Sequence, residues 1–127
     1  MTLIRTSYSP GYPFEDAYGY ARAVRAGNQV FVSGTTARGH HLDGDAYTQM
    51  MAAIATVAVA LAGAGAELRH VVRTVVYVVD MADVDQIARA HHETFGATRP
   101  ASTLVQVAGL TPASARAEIE VTAVIHD

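Results

Sequence analysis

Glu118 and Glu120 stand in the run Ala117-Glu118-Ile119-Glu120-Val121-Thr122-Ala123-Val124-Ile125, where polar and apolar residues alternate. A period of two is that of a half-buried strand, so both carboxylates share one face. A glutamate held in a cleft can act as a general base or hold a water, and Glu120 is taken in that role. The plainer reading is two glutamates on the wet face of an edge strand. Arg22, Arg25, Arg73 and Arg99 are the groups that could grip a substrate carboxylate with a planar fork of donors. Arg73 interrupts an otherwise apolar strand and would need a partner if buried, so a structural ion pair is its other reading. Ser33 before Gly34, at a strand end, could set a hydroxyl and a bare backbone at a cleft, but it lacks the G-x-S-x-G setting of a nucleophile. His91 lies at helical spacing from Ile87 and Phe95, which suits a hydrogen-bonded core histidine as well as a ligand contact. His40-His41 and His91-His92 are adjacent pairs without the i, i+4 spacing that brings two imidazoles to one metal, so no metal is expected. No cofactor is expected either.

Composition narrows the chemistry further. With nine basic and twelve acidic residues in 127, the formal net charge is −3, and no stretch is basic enough to track phosphates. Nucleic acid is therefore not an expected partner. Every basic residue is an arginine, which excludes a Schiff base on lysine, and the absence of cysteine excludes thiol nucleophiles, thiolate metal sites and disulfides. The first ten residues contain no apolar signal region, so a cytoplasmic location is expected.

These residues need elements to position them. Residues 3–6 suit a short edge strand, and Ser9-Pro10-Gly11-Tyr12-Pro13 reads as turn and loop. Residues 21–26 and 29–34 flank a Gly27-Asn28 turn as a hairpin, with Gly34 ending the second strand. Residues 35–44 read as a loop. Asp45 caps a helix to about Ala62, closed by Gly63 and Gly65, whose apolar residues surround the axis and imply cover on most sides. Its Ala-rich composition and length argue against a membrane span. Residues 71–79 are nearly continuous in β-branched residues and read as a central strand. Asp83-Val84-Asp85-Gln86 has the form of a capping box opening a second helix, which Gly96 stops before Pro100 starts two final strands. The order β-β-β-α-β-α-β-β predicts a single α+β domain over 1–127, a two-layer sandwich with one sheet face uncovered. An uncovered apolar face calls for a partner, so a homo-oligomer joined through sheet faces is expected.

Taken together, Gly19-Tyr20-Ala21-Arg22-Ala23-Val24, Val30-Phe31-Val32-Ser33-Gly34, Val71 to Met81, Arg99-Pro100-Ala101 and Glu118 to Val124 resemble the RidA (YjgF) family, in order and with matching gaps. The resemblance implies a chorismate-mutase-like fold, a homotrimer with a central barrel, and clefts for a small-molecule ligand between subunits. Archetypal members hydrolyse reactive enamines and imines to 2-keto acids and ammonia. Residue by residue, the family tyrosine falls on Tyr20, its strand-end Ser-Gly on Ser33-Gly34, and its water-associated glutamate on Glu120. The arginine that pairs with the substrate carboxylate falls on Ser102, an asparagine of the second helix on Ala88, and a frequent glutamate on Gln106.

A hydroxyl cannot replace a guanidinium that neutralises a carboxylate, a bond worth about 1.5–3 kcal/mol when charge-assisted. The chain therefore resembles an arginine-lacking branch of the family, in which Arg22 and His91 redraw the pocket. Two functional readings follow. One is a hydrolase for an imine or enamine metabolite, with Glu120 managing water and Tyr20, Ser33 or Ser102 orienting substrate, but without archetypal 2-iminoacid deaminase activity. The other is a binding or scavenging module that kept the clefts and lost turnover. A ribonuclease activity conflicts with the acidic balance.

Overall fold

A computed structural model describes residues 3–127. Strand β1 (Arg5–Tyr8) is followed by a short helix α1 (Pro13–Tyr18), the hairpin β2 (Ala23–Ala26) and β3 (Gln29–Thr35), and helix α2 (Ala46–Gly63). Then come β4 (Val71–Val78), α3 (Val84–Phe95), β5 (Ala101–Gln106) and β6 (Ala117–Val124). The six strands form one sheet in the order β1-β2-β3-β6-β4-β5, antiparallel throughout except that β5 runs parallel to β4. That parallel pair is what requires α3 as a crossover, since parallel neighbours cannot be joined by a tight turn.

Both long helices lie on one face. Val30, Val32, Val76, Val78, Ile119 and Val121 point to them from the sheet, against Met50, Ile54, Val57 and Leu61 of α2 and Ile87 and Phe95 of α3. Burial follows the pleat: along β6 it alternates residue by residue, with Glu118 and Glu120 on the side that no helix covers. This is the α+β two-layer sandwich expected from the chain. Helix α2 is apolar and long enough for a bilayer, but it packs on the sheet with one side buried, while Ala55, Val59 and Ala62 face outward. The expectation of cover on most sides is thus corrected: the outward residues are chiefly alanines, which read as apolar without needing a partner.

Three other expectations change. Pro13, read above as the end of a turn and loop, instead opens α1 at its first helical position, where its missing N–H costs nothing. Asp83 sits at the N-terminus of α3 but its carboxylate takes Arg116 at 3.1 Å, while Gln86 Oε1 accepts from the Tyr47 backbone N–H at 3.1 Å, so the capping box does not form. Gly96 follows α3 in ordinary right-handed geometry, and the reversal falls instead at Arg99, whose φ is 51°. By contrast the Asp45 cap is present, its side chain accepting from Thr48 N–H at 2.8 Å.

One irregularity bears on function. In β3, Val32 pairs with Val121 and Thr35 with Ile119, so Ser33 and Gly34 together oppose the single residue Glu120. This is a β-bulge, two residues against one, and it bends the strand where the sequence places its Ser-Gly pair.

Candidate functional site

The bulge and β6 build the first half of the site. Ser33, Gly34, Glu118 and Glu120 line one cleft on the uncovered face, with Tyr20 and the α1 residues Phe14 and Tyr18. The three rings form a cluster: Phe14 and Tyr18 stack at 5.6 Å, and Tyr20 meets both edge-on at 6.3 and 5.8 Å. Tyr77, on the neighbouring strand, donates its hydroxyl to Glu120 Oε1. That bond, with burial second, pushes the Tyr77 hydroxyl up to about 12. Glu120 is therefore held at one oxygen, and its other accepts no hydrogen bond among the described residues. Burial lifts the Glu118 carboxyl above the ordinary glutamate range, although the Arg22 guanidinium pulls it partly back. Gly34 is what lets Glu118 lie there, because a Cβ at position 34 would stand 2.9 Å from the carboxyl carbon. Strand β6 is interior to the sheet, so the two glutamates are not simply the wet face of an edge strand.

Ser33 donates its hydroxyl to the Ala21 carbonyl at 2.8 Å, and so offers a ligand its lone pairs. Arg22 lies beneath this cleft. Its side chain is 1% exposed, packs 5.3 Å from the centre of the Tyr20 ring, and donates to the Gly34 carbonyl at 3.2 Å and to Thr35 Oγ1 at 3.1 Å. The Glu15 carboxylate of α1, 3% exposed, stands 3.8 Å from its Nε. Arg22, expected at the ligand, braces the bulge through Nη1, while its Nε and Nη2 make no hydrogen bond among the described residues. Arg73 is exposed on the uncovered face, beside the extra residue Val72 of a second irregularity, and carries no buried ion pair.

The second half lies on the opposite face. Ser102 pairs with Thr74 across β4 and β5 and shares its orientation toward α3. Thr74 Oγ1, 0% exposed, is 2.7 Å from Ser102 Oγ and 2.8 Å from His91 Nε2. The three make a hydrogen-bonded chain at the side of a cleft of about 400 Å³ between α3 and β5, whose lining includes Ala88, His91, Arg99, Ser102 and Leu104. Burial lowers the His91 pKa, which keeps the ring neutral. Tyr20, Ser33, Gly34 and Glu120 thus come together in one protomer, and Ser102 with His91 in another place. Thr74 was missed because a threonine inside a β-branched run looks like one more strand former, and Tyr77 likewise because an aromatic suits any strand.

The model of the endoribonuclease L-PSP family matches residues 13–125. The chain belongs to this family, the YjgF/RidA family. An uncharacterized protein of Streptomyces coelicolor is 41% identical over 116 residues, spanning 89% of this chain and 87% of that one. The 3-aminoacrylate deaminase RutC of Acinetobacter baylyi is 33% identical over 111 residues, 84% of this chain and 86% of its own length. Among solved structures, a YjgF/YER057c/UK114 family member from Mycobacterium tuberculosis superposes with a TM-score of 0.90 at 39% identity, covering 96% of this chain and all of that one. The family fold is thereby shared over nearly the whole chain.

Proposed function

We propose that the protein hydrolyses a small imine or enamine in clefts formed between copies of itself, as a homotrimer, without nucleic acid, membrane or cofactor. The observation that carries this reading is Glu120, fixed at one oxygen by Tyr77 and opposed by the Ser33-Gly34 bulge in an aromatic-lined cleft. A carboxylate so placed takes a proton from water as the water oxygen bonds to the imine carbon. The resulting carbinolamine then collapses to a carbonyl, the proton passing to the departing nitrogen, so that imine and water give carbonyl and ammonia. Relatives named for deamination of aminoacrylate and of iminobutanoate and iminopropanoate support the reaction class.

A site between copies is supported by the division of the polar groups. Ser102 and His91 face α3 while Glu120 faces away from it, so one small ligand meets both sets only if a second copy brings its α3 cleft to the uncovered face. Ser102 stands where a substrate-gripping arginine would be expected in archetypal members, so the preferred substrate need not be theirs. Ammonia release from freshly generated 2-iminopropionate and a panel of larger imines tests the proposal, parent beside Glu120→Ala. Turnover lost in the variant is expected. A parent that releases no ammonia above the uncatalysed rate from any imine overturns the hydrolase and leaves the binding module.

A further inference from the structure

A second pocket opens from the glutamate cleft. It shares Phe14, Tyr20, Gly34 and Glu118 with that cleft and continues past them, between the exit of β3 and the loop before β6, as a cavity of about 580 Å³. That is room for a ligand larger than the smallest imines. Its far walls include Leu42, Leu110 and Pro112, and the charged residues on its lining are Glu118 beside the bulge and Arg38 just past the end of β3. Thr36 and Ala37, 6% and 1% exposed, fix the backbone that leads to Arg38, and Gly39, with a φ of 56°, turns the chain directly after it. The Arg38 guanidinium lies over the ring of Tyr12, the residue at the N-cap of α1, 3.8 Å from its centre, and forms no ion pair among the described residues. A guanidinium that gives one face to a ring keeps its in-plane N–H donors for another partner.

We infer that this pocket receives the far end of the substrate and that Arg38 selects an acidic group there, so that the preferred ligand is an imine carrying a carboxylate remote from its reacting carbon. The inference rests on the proposed hydrolase reading and names its substrate class. Apolar walls suit the methylenes between the two ends, and the unpaired guanidinium suits the charge beyond them. With a net charge of −3 the chain offers no general field to gather such an anion, so a preference for it has to come from a local cation. Arg38 is thus a specificity residue that touches ligand, and Tyr12 a positioning residue that acts through the guanidinium lying on its ring.

The test is calorimetric titration of the full-length protein with 2-oxoglutarate and with 2-oxopentanoate, stable acids of one chain length that differ in the far carboxylate. The diacid should bind about tenfold more tightly, the worth of a charge-assisted bond at a partly exposed site. Arg38→Gln should abolish that preference while leaving the monoacid as it was, and Arg38→Lys, which supplies a charge without the planar fork, should keep part of it. Tyr12→Leu should weaken the preference and Tyr12→Phe, which retains the ring face, should restore it. Arg5→Gln removes the same charge from the exposed edge strand β1 and should change nothing. Equal binding of the two acids, a preference that survives Arg38→Gln, or an Arg38→Gln protein that loses both acids alike would each overturn the inference. Because binding is read without turnover, a diacid preference through Arg38 in a protein that hydrolyses no imine would refute the hydrolase and keep this subsite. Hydrolysis of imines with and without a far carboxylate at equal kcat/KM, indifferent to Arg38→Gln, would do the reverse.

Discussion

Replacing Arg22 by methionine should be among the most damaging single changes the fold can suffer. Arg22 and Glu15 are 1% and 3% exposed, their charges are 3.8 Å apart without a direct hydrogen bond, and among the described residues Glu15 Oε1 and Oε2 have no other partner. Removing the guanidinium leaves a carboxylate buried and uncompensated, which costs about 3–5 kcal/mol, and it also removes the two bonds to Gly34 and Thr35. Against a typical total of about 5–15 kcal/mol that is a large fraction. For 127 residues at roughly 2.1 cal/mol/K each, a loss of ~4 kcal/mol lowers Tm by about 15 °C. The double variant Arg22→Met/Glu15→Gln should recover much of the loss, because neither charge is then buried alone. Urea unfolding of parent, both single variants and the double, at one protein concentration, closes the cycle. A single variant that costs under ~1 kcal/mol, or a double variant whose loss is the sum of the singles, would refute the claim that the pair is coupled in the interior.

Three further outcomes are expected. Absorbance titration should show one tyrosine still protonated until about pH 12, and Glu120→Gln should bring it back toward the ordinary tyrosine range, since that bond is the main cause of its shift. His91 should titrate below 6.5 by ring-proton NMR; the unfolded chain takes this proton first as pH falls, so the stability it contributes is complete above 6.5 and is lost as pH drops through the folded value. Glu118 has the opposite sign: the folded carboxyl holds its proton longer than the unfolded one, so stability falls as pH rises from about 4.5 through the raised value, and Glu118→Gln should flatten that slope in unfolding curves.

The alternation of β6, the hairpin around Gly27-Asn28 and the Asp45 cap were legible because each is a local pattern enforced by local bonds. Long-range competition hid the rest. Asp83 and Gln86 have capping-box spacing, yet Arg116 and the Tyr47 backbone claim their side chains from 33 and 39 residues away. Arg22 looked available for ligand because its counter-ion, Glu15, lies on α1, and the Pro-Gly-Tyr-Pro punctuation before that helix outweighed Pro13 as a start signal. The site residues Tyr20, Ser33, Gly34 and Glu120 do converge, but that Ser102 faces the other way depends on the parallel register of β4 and β5, which no single strand contains.

The two-against-one stagger in β3 separates what evolution can change here from what it must keep. Val32 on one side and Thr35 on the other both point into the core, so the strand enters and leaves the bulge in the same phase. A side chain at position 33 or 34 is therefore presented to the cleft and not to the core, and at 34 it meets the Glu118 carboxyl. A sheet without that extra residue would trade every new pocket for a repacked interior; here a two-residue window opens on the cleft while the hydrophobic layer stays as it is.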